Sequence, residues 1–152
     1  MVTGGFELAL ACDFLYAAEG ARFADTHARV GLLPGWGLSQ KLGRLIGINR
    51  AREVSLTGNF IDADTAMTWG LVNKVCSPET LIENSLAAAQ QIAESNPQTI
   101  SAMRSLMNDG DLLSLGEALE LEGARGIAYL EHADFSQMEN RLQALKSRSK
   151  KS

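Results

Sequence analysis

Glu7 is the only carboxylate in the run Phe6–Leu10 of "GGFELALACD", and it lies three residues after Gly4. A charged side chain among apolar neighbours needs a reason, and two fit. If Gly4 caps a short helix, Glu7 falls at the third helical position. There its carboxylate can reach back to the cap N–H and sit well in the helix dipole. The same geometry also serves catalysis. Free N–H groups of Gly4 and Gly5 at a helix start can hold an oxyanion. A carboxylate one turn on would stand beside the bound group and is suited to acid–base work. Local pattern leaves both roles open. His27 is one of only two histidines. It follows a short apolar stretch, lies close to Asp25 and precedes "GLLPGWG". It is either a surface loop histidine or a titratable group near reacting atoms. His132 lies near a helix C-terminus, where the dipole favours a cation, and no chemistry is assigned to it.

The glycine-rich stretch around Gly35 lacks the spacing and the Lys-Ser/Thr of a phosphate loop. A tight turn bringing backbone close to a ligand suits it better. Trp36 either fills core or walls an apolar pocket. Cys12 and Cys76 have no metal-ligand spacing and form no disulfide framework. Both read as buried thiols of a reducing, cytoplasm-like compartment, and no metal site is expected.

These residues must be held by short elements. "GGFELALAC" predicts a helix, "DFLYAAEG" a buried strand and turn, and "ARFAD" a second strand. "LSQKLGRLIG" has Leu38, Leu42, Leu45 and Ile46 at helical spacing and stops at Gly47. Asn49 is expected to cap "RAREVSLT", which ends at Gly58, and Asp62 to cap "ADTAMTW", which ends at Gly70. "LVNKVC" follows as a strand. From Ser77 the pattern is almost all helical. Helices are predicted over 79–94 and 97–108 behind Ser77-Pro78 and Asn96-Pro97, and then over 113–132 and 135–148, the last capped by Asp134. The chain therefore reads as an α/β part, 1–76, followed by a helical part, 77–152.

The 152 residues are 45% hydrophobic and 21% charged, with net charge −4. That is globular composition without the basic bias of a nucleic-acid binder. Lys146, Arg148, Lys150 and Lys151 form a basic C-terminal cluster, read as a solvated tail. No apolar run approaches the ~20 residues of a membrane span. Glu7 also interrupts any signal-peptide core.

Three stretches, taken in order, resemble the enoyl-CoA hydratase/isomerase (crotonase) superfamily. "GGFELALACD" is similar to its G-G-G-x-E-L-A-x-x-C-D. "YAAEGARFADTHARVGLLPGWGLSQKL" is similar to its A-x-E-x-A-x-F-x-x-P-E-x-x-x-G-x-x-P-G-x-G-x-x-Q-R-L. "SLTGNFIDADTAMTWGLVNKV" is similar to its L-T-G-x-x-I-x-A-x-x-A-x-x-x-G-L-V-x-x-V. The resemblance covers 1–76 strongly and the helical part more weakly. It implies an α/β fold, a partial ββα spiral followed by helices that build trimers, commonly paired into hexamers. It also implies an acyl-CoA thioester substrate processed through an enolate, with no metal and no cofactor beyond the coenzyme A of the substrate.

On the match, Gly4 falls at an oxyanion-hole donor and Glu7 at the first of two hydratase glutamates, which positions and activates water. The glycine-rich turn at Gly35 abuts the second glutamate and the water, and Gly5, Gly35 and Trp36 are candidate substrate-binding residues. The family's second glutamate, which handles the proton beside the thioester carbonyl, aligns with His27, and its preceding proline with Thr26. Asp25 is a second candidate for that proton. The family segment supplying the other oxyanion donor, A-F-x-A-G-x-D-like, precedes the matched part and is not among these residues. The expectation is thus a hydratase, dehydratase or isomerase carried by Glu7 with His27. The alternative is a truncated or degraded chain that acts only in assembly.

Overall fold

A computed structural model describes residues 1–148. The chain divides into two compact units, residues 1–91 and Ile92 onward. The sequence places its change of character earlier, at Ser77.

The first unit contains α1 (Gly4–Ala9), β1 (Tyr16–Ala18), β2 (Arg22–Phe23), a 3-10 turn (Ala28–Val30), α2 (Leu38–Ile46), α3 (Ile48–Thr57), β3 (Ile61–Asp62), α4 (Ala63–Thr68) and β4 (Lys74–Cys76). The division falls inside α5 (Leu81–Ala93). β1 pairs in parallel with β4, Ala17 opposite Val75, and β2 pairs antiparallel with β3, Phe23 opposite Ile61. A single parallel bridge joins Val2 to Ala24.

The short helices form because each buries one stripe. Leu38, Leu42 and Ile46, four residues apart, give α2 its buried face, and Ala51 and Val54 do so for α3. These meet Phe6 of α1, Phe23 of β2, and Ala63, Ala66, Leu71 and Val72 in one core. The rings of Phe6 and Phe23 lie 5.6 Å apart, tilted at 51°, a favourable aromatic geometry. Phe6, Leu38 and Leu42 are the largest fully buried side chains, each contributing about 1.5–3 kcal/mol by leaving water.

The expected ends of α2, α3 and α4 hold. Gly58, at φ 63, closes α3 with its N–H on Val54 O, and Asp62 accepts the Thr65 N–H at 2.8 Å to cap α4. Other local details differ. Asn49 is not a cap, because α3 already starts at Ile48 after Gly47. The pairing of Ile61–Asp62 as β3 was not expected. After Ser77-Pro78 a turn intervenes, with the Thr80 and Leu81 N–H groups on Ser77 O, and the helix begins at Leu81. Cys76 is buried, but Cys12 is exposed, since α1 ends at Ala9 and leaves it on a solvent-facing turn.

The second unit contains α6 (Pro97–Gly110), α7 (Leu115–His132) and α8 (Met138–Arg148). Asn96 caps α6 and Ser114 with Glu117 forms a capping box for α7. Asp134 accepts the Ser136 N–H, which makes a turn rather than a cap, and α8 starts later than expected. α6 and α7 are tied by the Thr99 and Tyr129 hydroxyls at 2.6 Å and by Arg125 on Asp109 at 2.6 Å. No residue of α6 or α7 is buried. Lys150 and Lys151 of the basic tail lie outside the described residues. No described helix is long and apolar enough to cross a membrane.

Candidate active site

The first three residues run alongside Arg22–Thr26. Ala24 N–H donates to Met1 O at 3.1 Å and Thr3 N–H to Ala24 O at 3.2 Å. The terminal ammonium donates to Arg22 O, and the hydroxyls of Thr3 and Thr26 share a hydrogen bond. This lacing sets the start of α1 beside the segment that carries Asp25 and His27. Thr3 turns the chain into α1 at φ 50, ψ −118, a conformation that a β-branched residue rarely adopts. It stands where the family motif has its first glycine.

Thr3, not Gly4, is the cap position of α1, and its side chain makes no cap hydrogen bond. Gly4 is therefore the first helical residue and Glu7 the fourth. The Glu7 carboxylate does not turn back to the helix start, so the capping role weighed from sequence does not hold. Phe6 and Glu7 N–H donate to Thr3 O, and Gly5 N–H donates to Val2 O at 3.0 Å. Gly5 is thus not a free donor. The Gly4 N–H has no backbone partner among the described residues.

Glu7 is only 3% exposed, and its two oxygens face different groups. Oε1 accepts the Trp36 backbone N–H at 2.7 Å. Oε2 lies 3.5 Å from His27 Nε2, within ion-pair range but long for a direct hydrogen bond. His27 is buried, 6% exposed, rather than a surface histidine. Its Nδ1 lies 2.7 Å from Asp25 Oδ1, which also accepts the His27 backbone N–H at 3.1 Å. Asp25, His27 and Glu7 thus form a buried row of carboxylate, imidazole and carboxylate.

Trp36 does not fill core, as it is 72% exposed. A Cβ on Gly4 would stand 3.5 Å from its Cζ3, so the indole lies against the Cα face of Gly4. Gly35 is exposed and makes no hydrogen bond to Glu7. The loop's contact with the carboxylate is the Trp36 N–H next to it. Sequence reasoning noted Asp25 but missed its bond to the ring. The available signal was spacing, because an Asp two residues before a His can reach both that residue's N–H and its imidazole. Among the described residues no three His, Cys, Asp or Glu side chains are grouped to hold a metal ion. The row can instead hold a proton and pass it, and the Gly4 N–H, without a backbone partner among the described residues, can take a developing negative charge.

Residues 1–147 match the family model described as "Enoyl-CoA hydratase/isomerase". Over 128 residues the chain is 49% identical to "Probable enoyl-CoA hydratase 1, peroxisomal" of Arabidopsis thaliana, covering 84% of this chain and 48% of the relative. It is 42% identical over 120 residues to "Enoyl-CoA hydratase, mitochondrial" of Pongo abelii, covering 78% and 41%. Among solved structures it is similar to an enoyl-CoA hydratase from Bacillus anthracis, with TM-score 0.86 and 33% identity, covering 97% of this chain and 56% of that one. The chain spans about half the length of the curated relatives it matches. The similarity places its short strands and helices in the hydratase fold, as a partial spiral followed by helices.

Proposed function

This chain belongs to the enoyl-CoA hydratase/isomerase family, and from that premise we propose that it processes acyl-CoA thioesters, adding or removing water at a double bond or shifting it. One observation carries this. Glu7 is buried one turn beyond the Gly4 N–H, which has no backbone partner among the described residues, with one oxygen fixed by Trp36 and the other turned toward His27.

In hydration, the Gly4 N–H donates to the thioester oxygen as the enolate forms, where the charge develops. The Glu7 carboxylate orients water and takes its proton as the oxygen bonds to the β-carbon. The α-carbon then receives a proton from the Glu7–His27 pair. Dehydration runs the same steps backward, and isomerisation moves a proton between two carbons without water. Trp36, exposed beside Gly4, lines the acyl path. Coenzyme A is part of the substrate, and no step calls for another cofactor. Assembly into trimers or hexamers is proposed for the helical part, supported by the exposed apolar side chains of α6 and α7. The free cysteines Cys12 and Cys76 fit a reducing compartment, of which the cytoplasm is the one proposed.

The test is hydration of a short-chain enoyl-CoA by the purified chain and by Glu7→Gln, with acyl-CoA binding measured alongside. Turnover is expected to fall by about 10²- to 10⁴-fold with binding retained. Absence of turnover in the wild-type chain, or turnover unchanged in Glu7→Gln, overturns the proposal.

A further inference from the structure

The structure assigns Asp25 a positioning role: it holds the His27 imidazole with the proton on Nδ1, so that Nε2 alone faces Glu7 and exchanges protons there. Its catalytic consequence rests on the function proposed above, but the tautomer itself does not.

Asp25 has a simpler explanation, which is to steady a turn. Its Oδ1 accepts the backbone N–H of His27 at 3.1 Å, just before the 3-10 turn Ala28–Val30. That accounts for the backbone contact and leaves the ring free to point elsewhere. The ring does not point elsewhere. Nδ1 lies 2.7 Å from the same oxygen, the shorter of the two contacts and in the range of a charge-assisted N–H···O⁻ bond. Both residues are buried.

The proton placement follows from this contact. The other neutral tautomer would set the Nδ1 lone pair against a carboxylate oxygen at 2.7 Å, two acceptors with no proton between them. With Nδ1–H donated to Asp25, the Nε2 lone pair is the ring's only free base, and it faces Glu7 Oε2 at 3.5 Å. When Nε2 takes a proton, the imidazolium lies between two carboxylates. Buried carboxylates set the working nitrogen of a histidine in this way elsewhere. Thr26, between Asp25 and His27, is bonded through its hydroxyl to Thr3, so the segment is also tied to the start of α1. Asp25 touches none of the reacting atoms and acts through His27.

The chain has only two histidines, so nitrogen-15 NMR of histidine-labelled protein shows two rings, and His132→Gln assigns them. His27 is expected to carry its proton on Nδ1 when neutral. In Asp25→Ala, which removes the acceptor, that population is expected to fall in favour of Nε2–H, whereas Asp25→Asn keeps an amide oxygen in the acceptor's place and removes only the charge. In the hydration assay Asp25→Asn should lower kcat by about 10- to 100-fold with KM held. A wild-type His27 ring protonated on Nε2 when neutral overturns the inference without any variant having to fold. So does a tautomer unchanged in a folded Asp25→Ala protein. Absence of turnover with the Nδ1–H form in place overturns the proposed function alone, whereas turnover with an Nε2–H ring overturns the positioning role alone.

Discussion

The two oxygens of Glu7 have different neighbours, so the carboxylate has a fixed orientation. Oε1 is held by a backbone N–H, which no side-chain substitution at position 36 removes except proline. This separates the two contributions of Trp36. Trp36→Ala keeps the N–H on Glu7 and removes only the indole beside Gly4. It is expected to raise KM for acyl-CoA about tenfold, a loss of roughly 1.4 kcal/mol of binding, with kcat changed little. A large fall in kcat at unchanged KM would show that the indole does not line the acyl path. Glu7 itself was legible as a buried carboxylate near a helix start. Its freedom from capping was not, because that depends on Thr3 adopting a conformation more typical of glycine. The Asp25–His27 bond was near legibility, since the two residues are almost adjacent. The approach of His27 to Glu7 was legible only through the family match, because the lacing of residues 1–3 to 22–26 joins segments that are distant in sequence.

Most element boundaries were readable because local chemistry sets them. Gly47 and Gly58 stop helices and Asp62 and Asn96 start them, whereas the Ser114–Glu117 box, not read from the sequence, starts α7 two residues after the expected 113. The failures have a common cause. β3 is two residues long and exists only because it pairs with β2, so no periodicity marks it. Asn49 is a good capping residue that another geometry overrode. The caps also predict a pH response. Hydrogen bonds from Thr65 hold the Asp62 carboxyl below its usual value, and those from Ser114 do the same for Glu117. A carboxyl depressed on folding adds stability while ionised. That contribution is lost as pH falls from the ordinary carboxylate range through the lower folded value. Thermal melts followed by circular dichroism should therefore show a falling melting temperature on acidification. The acid dependence should be shallower in Asp62→Ala and in Glu117→Ala. An identical pH profile in both variants would remove the caps as its source.

Across the whole chain, the two units differ in how they treat apolar surface. The first closes a core around Phe6, Leu38 and Leu42, whereas α6 and α7 leave Met103, Met107, Leu119, Ile127 and Leu130 exposed. The family resemblance implied trimer-building helices here, whereas helical periodicity by itself does not say whether a partner lies in the same chain. With assembly proposed, Leu119→Lys combined with Ile127→Lys should weaken self-association by at least about tenfold, or roughly 1.4 kcal/mol, measured by sedimentation. A wild-type chain that stays monomeric would remove assembly from the proposal. The parallel pairing of β1 with β4 has a kinetic consequence. Its flanking bond, Leu15 N–H on Asn73 Oδ1, joins residues 58 apart, so the pair forms only after a long loop has closed. Each helix between them can nucleate from neighbouring residues, but this pairing must first overcome loop-closure entropy. Among the described strand pairings of the first unit it spans the longest stretch of chain, and until it forms both strands keep unpaired edges exposed to other chains.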